Sequence, residues 1–138
     1  MSYIGWAVVA MLAYGVTAVF LKLALKDISP GVTLVTTNTI LVLSGVALIL
    51  YRGESFAAHF TVNRPMLFAV LAGLTLSLSI ISYYIALSRG QTTVVVPIFA
   101  SYFAVTTIIG FIFLGDDIKL TKILGVLMAG GAIFLLTR

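Results

Sequence analysis

Apolar residues run through this chain in five long blocks, at about 3–25, 31–51, 66–88, 92–114 and 120–137, separated by short polar breaks. Each block is close to the roughly 20 residues with which a helix crosses a hydrocarbon core about 30 Å thick. No strict two-residue alternation runs through them, which argues against the strands of a membrane barrel. A backbone in lipid must satisfy its own hydrogen bonds, so the pattern predicts an all-α polytopic membrane protein. An odd number of crossings places the two ends of the chain on opposite sides of the membrane.

The breaks carry helix-end chemistry. Ser29-Pro30-Gly31 reads as an N-cap followed by proline in the first turn of the second helix, and Asn63-Arg64-Pro65 opens the third in the same way. Ser88-Arg89-Gly90 and Leu114-Gly115 close the third and fourth helices with glycine, and Thr121 is expected to cap the fifth. Met1-Ser2-Tyr3 has no basic flank and the first block outruns the apolar core of a secretory signal, so it reads as a span. The longest break, 52–65, holds Arg52, Glu54, His59 and Arg64 and is too short for a domain. His59 there reads as a solvated loop residue.

Composition sharpens this picture. Hydrophobic residues make up 62% and charged residues 9% of the 138, where a soluble domain carries about 25% charge. Mean hydropathy is +1.23. The chain is expected to be one membrane domain over 1–138, with no water-facing fold to house an enzyme. It has no cysteine, which excludes disulfides, thiolate metal sites and a cysteine nucleophile. No cofactor or metal is expected. The pI near 9.6 reflects Lys and Arg at helix ends, the flanks of a membrane protein rather than a nucleic-acid surface.

Those basic residues divide evenly. Arg52, Arg64, Lys119 and Lys122 fall on one side, and Lys22, Lys26, Arg89 and Arg138 on the other. Orientation normally follows an excess of Lys and Arg on the cytoplasmic side. A balance of four against four leaves that instruction out. Two copies inserting in opposite senses would follow. A single fixed orientation remains open, since Lys22 can snorkel from inside the first block and the free amino terminus adds charge.

Several segments carry a resemblance: Tyr84-Ile85-Ala86-Leu87-Ser88-Arg89-Gly90, Val95-Val96-Pro97, Phe113-Leu114-Gly115-Asp116-Asp117 and Leu124-Gly125. Together they resemble the EamA-type half of drug/metabolite transporters, over essentially the whole chain. The resemblance implies one inverted-repeat half of a ten-helix transporter, and therefore a partner. The first block, Tyr3…Leu12-Ala13-Tyr14…Lys22, is also similar to that of the related small multidrug resistance transporters. Those proteins carry an embedded glutamate where this chain has Tyr14. A tyrosine does not cycle a proton near neutral pH, so proton antiport is not carried over. The four acidic residues, Asp27, Glu54, Asp116 and Asp117, all lie at block ends or in breaks.

Polar and aromatic residues inside the blocks are the candidate site, because transporters of this kind bind near the midplane. Trp6, Ala10, Tyr14, Thr17 and Leu21 recur at helical spacing on one stripe. Thr75, Ser79, Ser82 and Tyr83 form a second stripe with Tyr84 beside it, the fourth block offers Ser101 and Tyr102, and the second offers Asn38 beside Thr36 and Thr37. The expected substrate-binding set is Trp6, Tyr14, Thr17, Asn38, Ser79, Tyr83, Tyr84, Ser101 and Tyr102. Aromatic rings in it can stack on solutes or hold ammonium groups, at about 2 kcal/mol or more when desolvated.

Plainer roles compete. Ser and Thr in membrane helices often bond a carbonyl or neighbouring helix, at roughly 0.6 kcal/mol each. Trp6 and Tyr3 suit an interfacial belt as well as a cavity wall. Lys22 is either a charge with a function or a snorkelling flank residue. Pro97 is expected to kink the fourth helix, as pocket shape or as a hinge. The Gly125…Gly130-Gly131 face of the fifth helix suits close packing, by resemblance between two copies and otherwise within one.

The expected function is transport of an amino acid-like, cationic or aromatic solute by an antiparallel homodimer in a prokaryotic cytoplasmic membrane, by alternating access. The expected partners are a second copy, the lipid bilayer and the solute. Two rivals are a subunit of a heteromeric flippase for a lipid-linked head group and a non-transporting assembly partner.

Overall fold

Serine, asparagine and proline punctuate the chain much as their chemistry requires. In the computed structural model, which describes residues 2–55, 63–115 and 119–136, Ser29 is extended and its hydroxyl accepts from the Val32 N–H at 3.4 Å. Pro30 follows in the first turn, where its missing N–H costs nothing. Helix α2 (Pro30–Arg52) starts there. Asn63 Oδ1 likewise accepts from the Met66 N–H at 2.9 Å and opens α3 (Arg64–Arg89).

Helix α1 (Tyr3–Ala24) has 22 residues, α2 has 23 and α3 has 26. At 1.5 Å per residue each is about 33 Å or longer, enough to span. The fourth block is not one helix. It holds α4 (Thr92–Ala100), a turn at Ser101, α5 (Tyr102–Ile109) and a π-helical turn over Gly110–Leu114, together long and apolar enough to cross. Helix α6 (Leu120–Leu136), of 17 residues, is at the short end for a span. No strand occurs among the described residues.

Two helix ends differ from expectation, at Gly90 and Thr121, and a third cap, at Gly53, was not expected. Gly90 follows α3 without a left-handed backbone; among the described residues the positive-φ positions are Gly53 (φ 65°) and Gly115 (φ 69°). Gly115 closes the π turn as expected, its N–H reaching the Gly110 carbonyl. Gly53 closes α2 by donating to Ile49 and Leu50, a C-cap hidden in the sequence by the polar run after it. Thr121 lies inside the first turn of α6 rather than capping it. The carbonyl of Lys119 accepts from Lys122 at 2.9 Å and Ile123 at 3.2 Å, so the helix starts one residue before the threonine.

The chain forms two compact units, Val19–Ser88 and Met1–Ala18 with Arg89–Arg138. In Val19–Ser88 the buried core gathers at one end of the helices: Leu21 from α1 and Leu25 just after it, Thr33 from α2, and Tyr83, Tyr84 and Leu87 from α3. In the other unit Ala18 is buried and α4 packs against α6. Most large apolar side chains along the spans are exposed, as suits helices solvated by lipid. His59, Asp116, Asp117 and Arg138 lie outside the described residues.

Candidate functional site

The fourth span is where the backbone departs furthest from a plain helix. Pro97 has no N–H to give the Thr93 carbonyl, which loosens the turn before it. Helix α4 nevertheless runs through Pro97, and the interruption comes a turn later. At Ser101 ψ opens to −4°, and its N–H is shared between the carbonyls of Pro97 at 3.1 Å and Ile98 at 3.2 Å. The Ser101 hydroxyl also donates to the Ile98 carbonyl. Proline removes one bond and serine diverts the next, so the break falls at residue 101.

Aromatic rings collect around this break. Tyr14 of α1 stacks on Phe99, with centroids 6.0 Å apart and planes 13° from parallel. Phe99 meets Tyr102 edge to face at 5.7 Å. Phe99 and Tyr102 therefore bracket Ser101, one on each side of the interruption. Tyr14 is 44% exposed and Tyr102 61%, which leaves ring surface for a solute. Trp6, two turns before Tyr14 on the same helix, is 61% exposed. Phe99 escaped the sequence reading because a phenylalanine in an apolar run is indistinguishable from lipid-facing residues. Its spacing from Tyr102, one helical turn, was the available signal.

In the same unit Thr17 Oγ1 donates back to the Ala13 carbonyl at 2.8 Å. Lys122 Nζ stands 5.8 Å from the Phe111 ring centroid, tying the π turn to the start of α6 by a cation–π contact. Gly125, Gly130 and Gly131 are exposed on α6, and a Cβ built on any of them meets nothing within 4 Å.

Val19–Ser88 holds a different arrangement. Lys22 Nζ donates to the Leu87 carbonyl at 2.8 Å. That carbonyl belongs to the last turn of α3, where no intrahelical N–H is left to reach it and the helix dipole favours a cation. Tyr84 OH and Thr37 Oγ1 share a hydrogen bond of 2.9 Å between α3 and α2, and the Tyr83 ring meets Tyr84 edge-on at 6.1 Å. Tyr83 and Tyr84 are buried, so they serve the core of this unit. Asn38 lines a cavity of about 320 Å³ between α2 and α3, with Leu34 and Val35 on its own helix and Leu76, Ser77 and Ile80 opposite. None of the other expected site residues lines it. Ser79 is exposed on α3.

Most of the hydroxyls bond their own helix. Thr36, Ser44, Thr75, Ser77, Ser82, Thr106 and Thr107 each donate to a carbonyl one turn back. The plainer role for Ser and Thr holds for these. No cluster of metal-binding side chains occurs among the described residues.

The family model for EamA-like transporters matches residues 1–138. A Sinorhizobium sp. protein named "Uncharacterized transporter in cobO 3'region" is 32% identical over 132 residues, covering 94% of this chain and 93% of the relative. No solved structure matches the chain.

Proposed function

Because the chain belongs to the EamA-like transporter family over residues 1–138, we propose that it carries a small aromatic, cationic or amino acid-like solute across the membrane by alternating access. The observation that carries this reading is the aromatic group of Tyr14, Phe99 and Tyr102 around the Ser101 break. Exposed ring faces can stack on an aromatic solute or hold an ammonium group. A discontinuous helix beside them supplies main-chain carbonyls that a straight helix would keep to itself. The break also gives the fourth span a joint, with Pro97 keeping it weak. In this reading Tyr14, Phe99, Tyr102 and Ser101 contact the solute, with Trp6 and Thr17 on the same stripe of α1.

The working form is an antiparallel homodimer of two single-domain protomers, each spanning 1–138, in the cytoplasmic membrane of a prokaryote. The even division of Lys and Arg supports opposite insertion of two copies, and the open glycine face of α6 supports close approach of a second chain. The Sinorhizobium relative, covered over 93% of its own length, has room for one such half as well. No acidic residue lies inside a span, which favours facilitated diffusion or exchange over proton coupling. Membership of the family, like the relative's name, points to transport rather than catalysis.

Reconstituted vesicles test this. Labelled phenylalanine, choline and an aromatic ammonium ion would be offered with and without an imposed proton gradient. At least one should enter saturably and independently of the gradient, with uptake reduced about tenfold or more in Tyr14→Ala and Phe99→Ala, the loss expected when a cation–π contact of about 2 kcal/mol goes. Uptake that is unchanged in both variants would remove the aromatic group from the solute's path.

A further inference from the structure

The cavity between α2 and α3 shares no residue with the aromatic group, and its lining has a different chemistry. Five aliphatic side chains, Leu34, Val35, Leu76, Ile80 and Ile81, surround two polar ones, Asn38 and Ser77. Leu76 and Ser77 fall at the middle of the 26-residue α3, which sets the cavity near half the depth of that span.

The two polar groups are partly committed. Asn38 Nδ2 donates one hydrogen to the Leu34 carbonyl at 2.8 Å, which fixes the amide's orientation. An amide has a second N–H and an oxygen with two lone pairs. Among the described residues no group bonds that oxygen. Ser77 gives its one hydrogen to the Gly73 carbonyl at 2.8 Å and so offers only lone pairs to the cavity. The lining thus presents one donor and two acceptors in an aliphatic wall.

We propose that this cavity binds a small neutral solute with an aliphatic body and one amide-like or hydroxyl group, held by Asn38 and Ser77. A donor on the solute reaches the Asn38 oxygen or Ser77 Oγ, and a carbonyl on it takes the second Asn38 N–H. Burying an amide in hydrocarbon with half its bonds unmade is costly, so a complementary group is favoured over a bare alkyl chain. Ions are disfavoured, because no charged side chain lines the space. Aromatic cations gain nothing there, since no ring lines it either. The volume of about 320 Å³ is at the small end for a ligand site, and the space is partly open, so it suits a small solute without enclosing it.

The test uses the full chain in detergent micelles, with hexanamide as probe and hexane, hexylammonium and hexanoate as comparators. Thermal unfolding is followed against a cavity-filled variant, Ile80→Trp, so that general partitioning into the micelle cancels. Hexanamide should raise the midpoint saturably in the native protein and not in the filled one, and the comparators should do so less. Asn38→Leu should need about tenfold more hexanamide for the same rise, the loss of one or two hydrogen bonds. Equal rises with hexane, or an unchanged response in Asn38→Leu, would make the cavity a resting place for acyl chains and overturn the proposal. Equal rises in native and filled proteins would overturn it too. If Ile80→Trp lacks native helicity by circular dichroism, Leu76→Phe takes its place under the same criteria.

Discussion

Lys22 places its ammonium group on the last turn of α3, 65 residues further along the chain. A lysine inside an apolar run must reach water, an anion or an orphan carbonyl, and the end of a helix provides the last of these. The contact is partly buried. Lys22→Met is therefore expected to destabilise the protein by about 1–2 kcal/mol, as for a cation at a partly buried helix end. Lys22→Arg should recover most of that loss, because it keeps the charge. Reversible unfolding in mixed micelles measures both. Equal losses in the two variants would mean that side-chain packing, and not the cation, holds α3 there. The neighbouring Thr37–Tyr84 bond is a lesser tie, since Thr37 Oγ1 also reaches the Thr33 carbonyl at 2.9 Å and keeps a partner without the tyrosine.

The elements differ in how much of their form was legible. Length and hydrophobicity were readable for α1, α2 and α3, as were the N-caps of α2 and α3, because a span is a local property of about 20 residues and a cap of four. The interrupted fourth span was only half readable. Pro97 marks a weak turn, but the break at Ser101 depends on how that serine's N–H and hydroxyl divide the carbonyls of Pro97 and Ile98. Pro97→Ala returns an N–H to Thr93 and should stiffen α4 up to the break at Ser101. The expected result is a gain in stability of up to about 3 kcal/mol, the cost of an interior proline. A fall in vesicle uptake should accompany it if the joint moves during transport. A stabilised variant that transports at the native rate would show that the break shapes the solute's surroundings without moving.

At the scale of the whole molecule, the balance of basic residues and the glycine face make separable predictions. Ser55→Cys introduces one cysteine into a chain that has none, in the break after α2. An impermeant maleimide should label about half the molecules in intact cells if the two orientations are equally populated. Labelling of nearly all or none would replace the homodimer with an oppositely oriented partner chain. A Cβ at Gly130 meets nothing within 4 Å among the described residues, so Gly130→Leu should leave monomer helicity intact while abolishing cross-linked dimers. Normal dimer yield in that variant would assign the face to lipid. What the sequence by itself determined is the membrane class, the spans, most helix ends and the family, because hydrophobic length and local capping act within a few turns. Only the tertiary structure decided that Lys22 caps α3, that Tyr83 and Tyr84 are core, that Phe99 joins Tyr14 to Tyr102, and that Asn38 lines its own cavity. Each of those depends on which face of one helix meets another. In lipid, a helix gains little from hiding its apolar face, so the hydrophobic pattern that orients soluble helices is silent on this point.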